Sequence, residues 1–184
     1  MKRADFQYIA ASVALLVSLP CSNAAADQKP LTILGSDAAA CASDSTETAV
    51  LVHVRGLRDA KGKVRLELYS DQPDDFLKSG YQLQQDHHVF RRIDVPTPAG
   101  GRADICMQLP GPGRYSMAVL HDRNNDGKLN IMSDGFGFPG NPKLSWSKPK
   151  VEKALFAVSG GVGHMDIVLN YVMGLSVKPV GGKH

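Results

Sequence analysis

The 184-residue sequence predicts an all-β protein, an antiparallel β-sandwich of about seven strands. Three observations carry that prediction. Apolar and polar residues alternate at period two in short runs, the pattern of half-buried strands. Glycine and proline punctuate the runs with turn chemistry. No convincing amphipathic helix occurs, so apolar strand faces have only other strands to bury against.

The first 26 residues stand apart from this pattern. Lys2 and Arg3 open them, an apolar run follows at 8–19, and Pro20 and Ala24-Ala25-Ala26 close them. That is a signal peptide cut before Asp27. The run is too short to span a bilayer, and Pro20 before Cys21 does not suit lipid attachment. No later segment is apolar enough to cross, so no membrane span is expected after cleavage and the product is periplasmic or secreted. The removed segment carries two basic side chains and one acidic one, which lowers the formal charge from +3 to +2. So small an excess, spread along the chain, gives no footprint for nucleic acid.

Residues 27–47 are small and polar without periodicity, an N-terminal leader lying on the domain. The sandwich domain is expected over 48–174. Val50, Val52 and Val54 alternate with Leu51, His53 and Arg55, and Val64, Leu66 and Leu68 alternate after a turn at 59–63, which predicts a hairpin. Residues 70–85 read as irregular or briefly helical. Val89, Ile93 and Val95 mark a third strand. Ala103, Ile105, Met107 and Leu109 point inward from a fourth, with Arg102, Asp104, Cys106 and Gln108 outward. A fifth runs at 114–121 and two more at 153–159 and 164–172. Residues 175–184 read as a C-terminal tail.

Two cysteines survive cleavage, Cys41 and Cys106. An even pair in an oxidising compartment closes into a disulfide, here tying the leader to the polar face of the fourth strand. A loop of that length removes about 4 kcal/mol of denatured-state entropy on the chain-entropy model. Free thiols or a reactive cysteine are the alternatives, without a CxxC or cysteine–histidine cluster to support them.

Four stretches, PGRYSMAVLHDRNNDGKLN, DGFGFPGNP, KALFAV and IVLNYVMG, resemble the bacterial domain of unknown function 2141 family over about residues 49–174. The resemblance implies export and an immunoglobulin- or transthyretin-like sandwich. It supplies no reaction.

Within the first stretch, residues 122–133 follow the oxygen-ligand spacing of a calcium loop. Asp122, Asn124, Asp126, Lys128 (through its carbonyl), Asn130 and Ser133 fall at positions 1, 3, 5, 7, 9 and 12, and Gly127 falls at position 6. Ser133 stands where a bidentate glutamate belongs, and neighbouring Asp134 is the candidate substitute. The segment before the loop alternates like a strand, so no helix enters it. The alternative is a plain turn, since Asp and Asn side chains bond their own backbone two residues on. Calcium is the candidate ion, and no other cofactor is called for.

His121, Phe136, Phe138 and Trp146 flank this loop and make the candidate ligand surface, for a glycan or an envelope protein; the alternative is that they cap the sandwich. No nucleophile elbow, HExxH, Walker loop or dinucleotide fingerprint occurs, so no catalysis is expected.

Overall fold

The computed structural model describes residues 32–180. The expected signal peptide with its cleavage point, and the last four residues of the expected tail, lie outside them. Eleven strands form among the described residues. They are β1 (Ile33–Leu34), β2 (Ala49–Arg55), β3 (Lys63–Tyr69), β4 (Phe90–Pro96), β5 (Arg102–Gln108), β6 (Gly113–Asp122), β7 (Gly135–Gly137), β8 (Leu155–Val158), β9 (Val162–Val168), β10 (Asn170–Met173) and β11 (Ser176–Pro179). One helix, α1 (Gly80–Gln85), lies between β3 and β4.

The strands make two sheets. One has the order β1-β5-β2-β9, and the other β11-β10-β7-β6-β3-β4 with β8 also paired to β6. Alternation explains how they meet. Val50, Val52 and Val54 from β2, Ile105 and Met107 from β5, and Ile167 from β9 face Leu66 and Leu68 from β3 and Val119 from β6 across one apolar core. Two sheets joined through their inner faces are the arrangement of a β-sandwich.

Several expectations need correction. β2 and β3 do not form a hairpin: β2 pairs with β5 and β9, whereas β3 pairs with β4 and β6. The seven residues between β2 and β3 carry the chain from one sheet to the other. The sheets are not all antiparallel, because β1 lies parallel to β5 and β2 parallel to β9. The strand expected over 164–172 is divided, with β9 in the small sheet and β10 in the large one. The segment expected as a tail from 175 contains β11, which pairs with β10 along its whole length.

The leader behaves as an edge piece. β1 joins the rim of the small sheet, and Asp37 reaches both Arg91 of β4 (2.7 Å) and the Gln108 amide at the end of β5 (2.9 Å). It therefore bridges the edges of the two sheets. The Cys41–Cys106 disulfide fixes it there, with both cysteines buried.

The large sheet is covered on its outer face as well. Tyr69, Phe76, Leu83, Phe136, Phe138 and Leu144 form a second apolar cluster there, supplied in part by the irregular segments before β4 and after β7. Those segments are long because they roof a sheet. On its inner side β7 approaches β9 closely: a Cβ on Gly137 would stand 2.8 Å from Ile167 Cγ2 and 2.9 Å from the Val168 carbonyl.

Candidate functional site

The 122–134 loop leaves the end of β6 and returns into β7. β6 delivers Asp122 fully buried. Asn125 and Gly127 then take left-handed backbone, with φ of 58° and 76°, a conformation that asparagine and glycine accept most readily. The polar side chains fold back onto the loop. Asp122 Oδ2 accepts from Gly127 N (2.9 Å), Asn124 Oδ1 from Asp126 N (3.3 Å), Asp126 Oδ1 from Lys128 N (2.8 Å) and Asn130 Oδ1 from Met132 N (3.1 Å). Asn124 Nδ2 also donates to Asp126 Oδ2 at 2.7 Å.

Asp134 closes the loop, and Ser133 serves it. The buried Asp134 carboxylate accepts from Arg123 N (3.2 Å), Asn130 N (2.8 Å) and the Ser133 hydroxyl (3.1 Å). Arg123 extends from the loop to Asp59 and to the Ser133 carbonyl (2.9 Å). Arg65, buried on the large sheet, donates to both oxygens of Asp94 (2.7 and 3.1 Å) and to the Gly127 carbonyl (2.9 Å). Arg65 thus ties the middle of the loop to the large sheet, and Arg123 ties its start to the connection between β2 and β3.

One oxygen in it is left over. Asp122 Oδ1 is buried without a hydrogen-bond partner. The Lys63 ammonium stands 3.6 Å from the other oxygen of Asp122 and 3.7 Å from Asp94. Among the described residues, no three His, Cys, Asp or Glu side chains converge as a metal cage. The loop's remaining candidate ligands are amides and carbonyls, a different donor set. The Lys128 N–H and the Asn124 amide hold the exposed Asp126 carboxyl below its usual range.

The four candidates for a ligand surface are not brought together as one. His121 is fully buried: its Nε2–H donates to the Lys61 carbonyl (2.9 Å), and its Nδ1 accepts from the Tyr171 hydroxyl (2.7 Å). Burial lowers its pKa and keeps it neutral. Tyr171 Oη in turn accepts from Arg58 N (3.1 Å), and burial pushes its phenol up to about 12. Phe136 and Phe138 are buried in the outer cluster, so the capping alternative describes them. Trp146 is exposed and donates to the Leu175 carbonyl (3.3 Å).

Beside the loop lies a cleft of about 580 Å³ whose walls include Arg65, Tyr69, Tyr81, Arg92, Leu129 and Phe138. Its one carboxylate, Glu67, is paired. Glu67 accepts from Arg92 (2.9 Å) and from the Tyr69 hydroxyl (2.6 Å). Burial, with Glu67 alongside, drives the Tyr69 phenol far above its ordinary range.

A model of the family described as an uncharacterized protein conserved in bacteria, DUF2141, matches residues 52–166. The chain belongs to that family. The match includes the 122–134 loop and most of both sheets. No curated protein and no solved structure matches the chain. No helix among the described residues is long and apolar enough to cross a membrane.

Sequence reasoning passed over one cluster. His53 on β2, Asp104 on β5 and His164 on β9 meet on the outer face of the small sheet. Their parity was legible, but neither the β2–β5 nor the β2–β9 pairing was.

Proposed function

We propose that the protein is an exported, non-catalytic sandwich of the immunoglobulin- or transthyretin-like kind, periplasmic or secreted. Its 122–134 loop binds calcium weakly and forms one wall of a binding cleft. The observation that carries the cation reading is the buried, unpartnered Asp122 Oδ1. Such an oxygen is costly when left unmade, and an oxygen-seeking cation is a partner that suits it. Asp122, Asn124, Asp126, the Lys128 carbonyl, Asn130 and Asp134 are the ligand candidates.

The disulfide supports export, since such bonds persist in oxidising compartments. Two features support a role without catalysis. His121 is neutral and doubly bonded, and Glu67 is engaged by Arg92 and Tyr69, so neither stands free as a base. Exposed Tyr81 on the cleft rim offers a stacking face to a glycan or an envelope protein.

A second reading rests on Lys63. Its ammonium already lies near Asp122, which favours a loop that is structural and needs no ion. Calcium titration decides between them. With few carboxylates, Kd should fall on the order of 10⁻⁴ to 10⁻³ M. At ten times Kd, mass action stabilises the native state by about 1.4 kcal/mol, a rise of a few degrees in Tm. Magnesium should do much less, because it demands tighter octahedral geometry. Asp126→Ala should abolish the shift and leave the fold, since Gly127 still makes the turn. A melting curve unmoved by calcium up to about 10 mM, a saturating level for the expected Kd, would favour the structural reading.

A further inference from the structure

The outer face of the four-stranded sheet carries a histidine pair unrelated to the 122–134 loop. Residues of equal parity on neighbouring strands share a face, and register places His53 of β2 between Asp104 of β5 and Asp166 of β9. His164 stands one step along β9, on the same face. The Asp104 carboxylate is buried and divided between two tasks. Its Oδ2 accepts from Arg102 Nε (3.1 Å) and Nη2 (2.7 Å), and its Oδ1 lies 2.6 Å from His53 Nδ1. A carboxylate there fixes the proton on Nδ1 and leaves the Nε2 lone pair free. That lone pair meets His164 Nδ1 at 3.4 Å, with the two rings stacked 5.6 Å apart.

A separation of 3.4 Å is long for a hydrogen bond. Two nitrogens bound at 2.0–2.1 Å to one tetrahedral ion would stand about 3.4 Å apart. His53 is largely buried and held by Asp104, whereas His164 is exposed and free to turn its lone pair toward a shared ion. Carboxylate, histidine and metal in that order is the usual way a protein orients an imidazole ligand. Beside His164 a groove of about 470 Å³ opens between the leader and the sheet, lined by Ser43 and Ser45 among others, so water has access.

We propose that His53 Nε2 and His164 Nδ1 form a surface site for an imidazole-preferring divalent transition ion, zinc or copper, with Asp104 as the positioning residue. Two protein nitrogens hold the ion and water fills its remaining positions. Imidazole suits these ions, and copper should bind more tightly than zinc by the usual order of divalent affinities. The arrangement does not suit calcium, which takes oxygen ligands. The site is therefore separate in chemistry and place from the loop at 122–134.

Zinc titration of the purified protein, followed by calorimetry, tests it. The wild type should take up one zinc ion that His164→Ala loses; that histidine is exposed, so its removal should leave the fold. Asp104→Asn should lower zinc affinity roughly ten- to a hundredfold. Two controls should bind as the wild type does. His88→Ala removes a histidine that also has a carboxylate partner, Asp75 at 2.6 Å, and Asp126→Ala removes a ligand candidate of the calcium loop. The proposal is overturned if the wild type takes up no zinc, or if His164→Ala binds it undiminished. Unchanged affinity in Asp104→Asn would overturn the positioning role.

Discussion

Gly62 decides more than its size suggests. It precedes β3 with φ of +67°, and a Cβ there would run into the Asp122 carbonyl and come within 2.8 Å of Arg123 backbone atoms. Left-handed backbone alone costs a non-glycine residue on the order of 1–3 kcal/mol, and here the obstacle is backbone that cannot swing aside. Gly62→Ala should therefore destabilise the protein by at least about 2 kcal/mol and weaken calcium binding, because it displaces the entry to the loop. Urea unfolding measures the first effect and calcium titration the second. A variant as stable as the wild type would show that the β6 end has room to move. At this scale the sequence was informative about chemistry and blind to contact. The turn bonds of Asp122, Asn124 and Asp126 were legible from spacing, because they are made to backbone two to five residues away. Arg65 was not, since its partners Asp94 and Gly127 are brought to it by strand pairing.

Between β9 and β10 the chain changes sheets without breaking its alternation. Met165, Ile167, Leu169 and Tyr171 all pack with the common core, although the first two lie in the small sheet and the last in the large one. Period two reports which face is inward and says nothing of which sheet owns the strand. That is why 164–172 read as one strand and why β2 and β3 read as a hairpin. The far end of the large sheet has the opposite history. β11 lacks an apolar run, yet Val177 is buried in the outer cluster and all four of its residues pair with β10. Removing residues 175–184 strips β10 of its outer partner and exposes Val172, which pairs with Val177. Burying one valine is worth about 1.5–3 kcal/mol, so the truncation should lower stability by an amount of that order. Thermal melting of the truncated chain checks this, and an unchanged Tm would show β11 to be an appendage.

For the molecule as a whole, acid is the informative stress. Asp59 is held down to about 2, chiefly by its hydrogen bond from Arg123. Burial would raise Asp75 and Asp94, but hydrogen bonds from Ser70 and His88 to the one and from Arg65 to the other leave both below their ordinary range. His121 is lowered first by burial, with Arg123 opposing its charge and Asp59 and Asp134 favouring it. In each case the folded pKa lies below the unfolded one, so the unfolded chain takes up protons more readily and stability falls as pH falls. The windows differ. The contribution of His121 is present above about 6.5 and declines below it, whereas that of Asp59 is present above about 3.8 and is lost as pH passes through about 2. Tyr171 acts at the other end, where its raised phenol loses stability for the fold above about pH 10. The urea midpoint of the wild type should therefore fall in two stages on acidification, gently below 6.5 and steeply below 4. The decisive comparison is His121→Gln. That variant should start lower, because it disturbs the bonds to Lys61 and Tyr171, and the difference between the two midpoints should narrow as pH drops from 7 toward 5. A constant difference across that interval would mean that His121 takes up its proton as easily in the folded protein as in the unfolded chain.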